Sequence, residues 1–442
     1  MNLYSKLLEN CILPLADLFT GSNFIGSLKG LRKLNFLEKD ALVELQQGKL
    51  MKLLSYAVNN SKYYRDLEIG INWNDNSFDI IKKFPILDKT LLKKHEDDLV
   101  TVDKNKTIRQ VSSGSSGVQS TVYWTREEQS INRATQILFW EWAGYKIGDP
   151  LIQTGLSFER SIFKKIKDIL FNTTYVLAFS HSENDVLKAL KKAKQNKRTV
   201  LAGYASSLYV FAQIAEKNKL NVEMKTVISW GDKMFDHYRK KIEQVFNTKV
   251  HETYGTTEGM MIGAQMDLNF MYQLSSHVFL EILDDDGNEV PDGAFGNVVV
   301  TNLNGFGMPL IRYKIGDLAI KLDQKKYPPK CKLNFPILEK VIGRDTDLVK
   351  TKLGKTLTVH SFTGIIEHFP EIIQFCVIQE KLEGVKIKFI KGMNFSHFVL
   401  TQIESKVHQH LGEADFKIEF EEVDYIAPTK SGKPQIIISS LN

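Results

Sequence analysis

Between residues 199 and 255 the chain alternates short apolar runs with amphipathic stretches, and this alternation limits the fold more than any other feature. Thr199-Val200-Leu201-Ala202-Gly203-Tyr204 has the length and texture of a strand and is followed by a helical pattern over 207–217. Thr226-Val227-Ile228-Ser229-Trp230-Gly231 comes next, then a helical pattern over 234–246, then the strand-like Lys249-Val250-His251-Glu252-Thr253-Tyr254-Gly255. Such β-α-β-α order predicts an α/β fold, a parallel sheet covered by helices. Ligands of these sheets collect at the carboxyl ends of the strands.

Elsewhere the texture differs. Residues 39–64 place Leu42, Leu45, Leu50, Leu53, Leu54 and Ala57 at helical spacing, which predicts one amphipathic helix. After residue 275 the pattern turns β-rich: 278–283 alternates, Asp284-Asp285-Asp286-Gly287-Asn288 supplies a turn, and 296–301 is another β-branched run, so an antiparallel subregion is expected. Tyr327-Pro328-Pro329-Lys330 punctuates the chain, and the roughly 100 residues from Ile342 onward carry their own mixed pattern, the size of a small domain. The lysine-rich stretch 188–198 keeps Leu187, Leu190 and Ala193 on its other face, which reads as a solvated helix surface.

Composition excludes several classes. Among 442 residues, 43% are hydrophobic and 25% charged, ordinary globular usage, so neither a disordered nor a fibrous chain is expected. The net charge of +6 is spread along the chain, which argues against a nucleic-acid partner. Cys11, Cys331 and Cys376 are far apart and odd in number, which gives no disulfide framework and suits a reducing, cytoplasmic setting. The apolar run 11–19 is interrupted by Asp17 and is far shorter than the about 20 residues that span a bilayer, so it reads as a docked or peripheral segment.

Five local motifs carry possible chemistry. Val111-Ser112-Ser113-Gly114-Ser115-Ser116-Gly117 follows an expected strand at 108–111; glycines let the backbone approach a ligand, and successive N–H and hydroxyl groups can cradle phosphate, though a flexible surface loop has the same composition. A Walker loop is absent, because Val349 and Ala427 stand where Gly354-Lys355-Thr356 and Gly432-Lys433 would need an upstream glycine. Tyr254-Gly255-Thr256-Thr257-Glu258-Gly259 offers an aromatic face, hydroxyls for phosphate and a carboxylate for Mg²⁺. Arg312-Tyr313-Lys314-Ile315-Gly316-Asp317 offers a carboxylate able to hold a ribose diol. Ile342-Gly343-Arg344-Asp345-Thr346-Asp347 and Pro428-Thr429-Lys430-Ser431-Gly432-Lys433 complete the set. Singly, each also reads as a plain turn.

In this order the five motifs resemble the adenylate-forming superfamily of acyl-CoA ligases, most closely its phenylacetate–CoA ligase branch and the relatives associated with capsule and surface-polysaccharide gene clusters. The resemblance extends to Tyr63-Tyr64-Arg65 and to Phe84-Pro85-Ile86-Leu87-Asp88-Lys89. It implies a large N-terminal domain, 1–342, with parallel α/β sheets and a β-rich subdomain, and a small mobile α+β C-terminal domain, 343–442. It implies that Ser112, Ser113, Gly114, Ser115, Ser116 and Gly117 embrace the β- and γ-phosphates of ATP. Tyr254 would stack on adenine within the Gly255-Thr256 turn, Trp230, Gly231 and Asp232 would line the same pocket, and Thr257 would touch the α-phosphate. Glu258 would bind Mg²⁺, Asp317 and Arg344 would hold the ribose, and Lys433 would bridge the acyl carboxylate and α-phosphate. The implied reaction activates a small carboxylic acid as acyl-AMP and transfers it, with coenzyme A as the default acceptor, after rotation of the small domain about Thr346 and Asp347.

The chain departs from the family pattern at several points. Val118 and Gln119 replace the Lys-Pro that often closes the phosphate loop, Thr346 stands at a hinge position commonly charged, the stretch around Gly354 is altered, and Gln265 occupies a position where some relatives carry cysteine. Missing cysteines argue against a structural zinc. Two alternatives stay open: transfer to an amine or hydroxyl of a surface-polysaccharide precursor, and a degenerate nucleotide-binding partner. The acid is not specified, since Trp140, Trp142, Phe158, Tyr204 and Tyr209 suit either an acyl pocket or an ordinary core.

Overall fold

The computed structural model describes residues 3–111, 121–155, 161–178, 183–344, 348–353, 355–366, 368–369, 371–392, 394–411, 413, 415–427 and 436–441. Strands β1 (Ile108–Val111) and β2 (Thr121–Trp124) pair antiparallel, Ile108 opposite Trp124. The next five, β3 (Leu151–Gly155), β4 (Thr173–Leu177), β5 (Val200–Tyr204), β6 (Thr226–Trp230) and β7 (Val250–Gly255), run parallel in the order β4-β3-β5-β6-β7. The period of two along β5 explains the layers. Val200 and Ala202 join one core with Leu28, Leu138, Phe139 and Trp142, whereas Leu201 joins the opposite core with Leu190, Leu208, Phe211 and Phe246. Helices Arg126–Trp142 and Phe24–Leu34 thus cover one face, and helices Glu183–Lys194, Ala205–Lys217 and Asp236–Phe246 the other. A strand buried on both faces needs a continuous apolar run, which is what the sequence supplies.

The sheet does not stop at β7. Strands β8 (Met261–Ala264), β9 (Met271–Gln273), β10 (Val278–Leu283), β11 (Phe295–Asn302), β12 (Tyr313–Lys321) and β13 (Ile337–Arg344) continue it antiparallel, giving the order β10-β11-β12-β13-β9-β8-β7 and eleven strands in one ladder. A third core, including Leu53, Tyr64, Phe84, Val298, Val300 and Tyr313, packs the N-terminal helices against this half.

The helix expected over 39–64 is broken. It runs Lys39–Asn60, Ser61 turns extended with φ −92° and ψ 127°, and a second helix covers Lys62–Asp66. The Ser61 hydroxyl donates to the Asp98 carbonyl at 2.9 Å, so a tertiary bond outcompetes the local helical pattern. The lysine-rich stretch lies on helix Glu183–Lys194 with Val186, Ala189, Leu190 and Ala193 buried beneath it.

Strands β14 (Leu348–Lys350) and β15 (Thr356–Thr358) form a short antiparallel pair, and β16 (Ile372–Lys381), β17 (Gly384–Lys391), β18 (Lys417–Glu422) and β19 (Ile437–Ser439) form a separate sheet in the order β18-β17-β16-β19. Helices Val359–Ile366 and His397–Leu411 pack on it, around Phe362, Val377, Ile387 and Val407. Phe235, from the segment after β6, joins this core, and Lys233 Nζ donates to the Ile342 carbonyl at 2.7 Å. Strand β13 runs through position 342, and 345–347 lie outside the described residues.

Candidate active site

Strands β5, β6 and β7 end side by side at Tyr204, Trp230 and Gly255, and the expected nucleotide residues follow these ends. After β6, Gly231 takes φ +78°, and a Cβ there would fall 2.6 Å from the Tyr204 ring, so only glycine fits beneath that tyrosine. Asp232 then turns to the N-terminus of helix Ala205–Lys217. Its carboxylate accepts from Ala205 N, from Ser206 N at 3.1 Å and from Ser206 Oγ at 2.5 Å, satisfying donors that a helix start leaves open. Asp232 therefore has a structural task in addition to any pocket role. Burial, reinforced by the Asp232 charge, pushes the Tyr204 hydroxyl up to about 12, so it stays a donor at neutral pH.

After β7 the chain makes a tight turn. Thr256 N donates to Met260 O at 2.9 Å, Gly259 N donates to Thr256 O at 3.2 Å, and Gly259 adopts φ +88°. A Cβ on Gly259 would fall 2.5 Å from the Trp124 indole, whose Nε1 donates to the Glu258 carbonyl at 3.2 Å. Thr257 and Gly255 are exposed on this turn, whereas Glu258 is buried. Thr256 Oγ1 is buried without a hydrogen-bond partner in the described structure. An orphaned hydroxyl of this kind is costly unless something else, a water or a ligand oxygen, completes it.

Two cross-links bring the separate motifs together. Tyr254 Oη donates to Asp317 Oδ2 at 2.8 Å, and Tyr313 Oη donates to Glu258 Oε1 at 3.3 Å. Asp317 is in turn the register partner of Arg344 across β12 and β13. Tyr254, Glu258, Asp317 and Arg344, drawn from three motifs, thus lie at one edge of the strand ends. Tyr254 itself is buried in the large core, and its hydroxyl reaches Asp317. Ser112, Ser113, Gly114, Ser115, Ser116, Gly117 and Lys433, with Val118, Gln119, Thr346 and Asp347, lie outside the described residues.

Among the described residues there is no cluster of three or more His, Cys, Asp or Glu side chains able to hold an ion. Mg²⁺ normally keeps several waters and binds through one or two carboxylates plus substrate phosphates, a chemistry that the Glu258 carboxylate, held by Tyr313 Oη, fits. Gln265 braces β7, accepting from Glu252 N at 3.0 Å and donating to the Asn269 carbonyl at 2.7 Å.

Tyr313 and Trp124 went unassigned in the sequence. Tyr313 was recoverable, because Tyr313 and Asp317 are four apart in a strand and share one face. Trp124 carried no local signal. Arg312 proves to be a brace: its guanidinium pairs with Glu281 at 3.0 and 3.1 Å and donates to the Phe84 carbonyl at 3.0 Å. Of the candidate pocket aromatics, Trp140 and Trp142 are core residues, Trp140 stacks on Trp230 at 5.5 Å, Tyr209 stacks on Tyr238 at 4.2 Å, and Phe158 lies outside the described residues.

Comparison with known proteins agrees with this architecture. Residues 349–440 match the CapK C-terminal domain family. Protein CapK of Staphylococcus aureus is 22% identical over 433 residues, covering 95% of this chain and 93% of that protein. A phenylacetate-coenzyme A ligase of Thermus thermophilus is 21% identical over 370 residues, covering 80% and 81%. The crystal structure of 2-hydroxyisobutyryl-CoA ligase in the postadenylation state, in complex with R3-HIB-AMP, superposes with a TM-score of 0.73 at 18% identity, covering 92% of this chain and 91% of that one. The likeness to coenzyme A ligases therefore covers 80% of this chain in sequence and 92% of it in fold.

Proposed function

We propose that this relative of the adenylate-forming acyl-CoA ligases is an AMP-forming acid–thiol ligase that activates a small carboxylic acid with ATP and passes the acyl group to coenzyme A. The observation that carries the reading is the Tyr254–Asp317 bond, which joins the adenine and ribose motifs beside Arg344 at the strand ends. In the first half-reaction the substrate carboxylate attacks the α-phosphorus and pyrophosphate leaves, so the protein supplies positioning and charge neutralisation and needs no nucleophile of its own. Asp317 and Arg344 hold the ribose, Thr256 and Thr257 meet phosphate oxygens, and the Ser112–Gly117 loop holds the outer phosphates. Glu258 holds the Mg²⁺ that accompanies ATP, which offsets phosphate charge when bound. Lys433 neutralises oxygen charge developing between acid and α-phosphate.

The small domain, taken as 343–442, brings Lys433 to the site for the first step and turns away for the second. The three free cysteines support a reducing, cytoplasmic setting. Likeness to an indoleacetate–lysine synthetase, 25% identical over 197 residues, supports a second reading of the acceptor alone, an amine or hydroxyl, such as that of a surface-polysaccharide precursor, in place of a thiol.

Carboxylate-dependent exchange of labelled pyrophosphate into ATP, measured across a broad acid panel, tests the activation step. Absence of exchange with every acid would leave a degenerate nucleotide-binding partner. Mass spectrometry of the product formed with coenzyme A then identifies the acceptor. Lys433→Ala should abolish exchange while leaving thioester formation from supplied acyl-AMP; equal loss of both would defeat the domain rotation.

A further inference from the structure

The first helical run, 3–20, passes from helix Leu3–Leu7 through a π-helical turn, Leu8–Ile12, into helix Leu13–Thr20. One side of it is buried through Ser5, Leu8, Glu9 and Leu13. The opposite side is apolar and exposed: Leu3, Leu7, Leu15, Leu18 and Phe19, with Leu18 77% and Phe19 85% exposed. The spacing of these residues forms a stripe along the run, where a surface helix normally carries charge.

A second helix, Ile162–Leu170, shows the same inversion. Ile162, Ile166 and Ile169 share one helical face and are 75%, 57% and 79% exposed. The two segments are joined, because Tyr4 Oη donates to the Leu170 carbonyl at 2.7 Å. Exposed apolar stripes of this kind mark an interaction site.

The charges decide what covers it. Both acids of the first run turn inward: Glu9 pairs with Arg32 at 2.7 Å, and Asp17 accepts from Ser22 Oγ at 2.6 Å and Ile25 N at 2.8 Å. Lys6 stays exposed, and on the second helix Lys164, Lys165 and Lys167 are exposed around the isoleucines while Asp168 is half-buried. Apolar residues flanked by lysines, with the acids withdrawn, match the boundary of an anionic bilayer, where aliphatic groups enter the acyl region and ammonium groups meet lipid phosphates. No described helix is long and apolar enough to cross a membrane, so the contact lies in the interface plane. We infer that this two-helix face docks the enzyme on the surface of an anionic lipid bilayer.

The test is flotation of the full chain with vesicles of phosphatidylcholine alone and of phosphatidylcholine with phosphatidylglycerol. The anionic vesicles should carry the protein, with partitioning that falls as salt rises. The variants Leu18→Glu with Phe19→Glu, and Ile166→Glu with Ile169→Glu, should each lower partitioning roughly tenfold or more. Pyrophosphate exchange should be unchanged in both, which also shows that they fold. Should a variant misfold, Lys164→Glu with Lys165→Glu, which leaves the apolar face intact, should still lose anionic-vesicle binding. No flotation, equal binding to both vesicles, or a dimer that the same substitutions dissolve, which would assign the face to a second copy of the chain, overturns the inference.

Discussion

The hydroxyl of Tyr254 and the carboxylate of Asp317 meet at 2.8 Å although they are 63 residues apart. One sits at the end of the last parallel strand and the other on an antiparallel strand of the same sheet, so the contact depends on the eleven strands forming one ladder. Asp317 is also the register partner of Arg344 across β12 and β13.

Tyr254→Phe keeps the ring and removes the hydroxyl that donates to Asp317. A hydrogen bond to a charged group is worth about 1.5–3 kcal/mol, part of which orients the carboxylate for the ribose. The KM for ATP in the exchange assay should therefore rise about tenfold with a smaller change in kcat. An unchanged KM would show that Asp317 is positioned by other groups.

Thr256→Val separates binding from stability. The Thr256 hydroxyl is buried and unpartnered, so replacing it with an isosteric methyl removes a desolvated polar atom and should leave the thermal midpoint unchanged or slightly raised. If the hydroxyl meets a phosphate oxygen, ATP affinity by calorimetry should fall about tenfold in the same variant. A destabilised variant with normal ATP affinity would assign Thr256 to the fold.

A buried polar cluster around His277 predicts acid sensitivity. His277 is fully buried, its Nδ1 lies 2.9 Å from Asn304 Nδ2, and Lys49 Nζ donates to Ser276 O and Asn304 Oδ1 at 2.9 Å each. Burial, with the nearby Lys49 charge, pushes His277 down to about 3. An unfolded histidine titrates near 6.5, so between these values the unfolded chain binds the extra proton and the folded one does not. His277 thus contributes stability above about 6.5 that is lost as pH falls toward about 3, on the order of several kcal/mol in total. Thermal midpoints should drop steeply below pH 6.5, and His277→Gln should flatten that slope. A parallel slope in the variant would place the acid sensitivity elsewhere.

The sequence showed clearly what short-range physics determines. Strands at 199–204, 226–231 and 249–255 and the helices between them appear as β5, β6, β7 and their covering helices with shifts of one or two residues, because burial on both faces imposes an unbroken apolar run. The turn at 284–288 likewise ends β10, with Asp284 Oδ1 accepting from Asp286 N and Asn288 N. Long-range pairing was not legible. Nothing local to β8 or β13 says that they extend the parallel sheet, nothing at Ser61 shows that Asp98 will claim its hydroxyl, and Asp232 reads the same whether it caps a helix or lines a pocket. The motif order brought Tyr254, Glu258, Asp317 and Arg344 into one expected site; the bond from Trp124 to the Glu258 carbonyl emerged only from the fold.

Arg312 provides a stability test that leaves the proposed chemistry aside. Its guanidinium is buried, with φ +50°, and it pairs with Glu281 through two bonds while donating to the Phe84 carbonyl. It thereby ties the segment before β12 to β10 and to the N-terminal helices. Removing one partner leaves the other charge buried and unpaired, which costs about 3–5 kcal/mol. Arg312→Met and Glu281→Met should each lower the denaturation midpoint by several degrees. The double variant should be less destabilised than the sum of the two, because no lone charge remains and a well-packed apolar pair can replace a buried ion pair. Strict additivity in chemical denaturation would show that the two side chains act independently and that the brace rests on the Phe84 carbonyl.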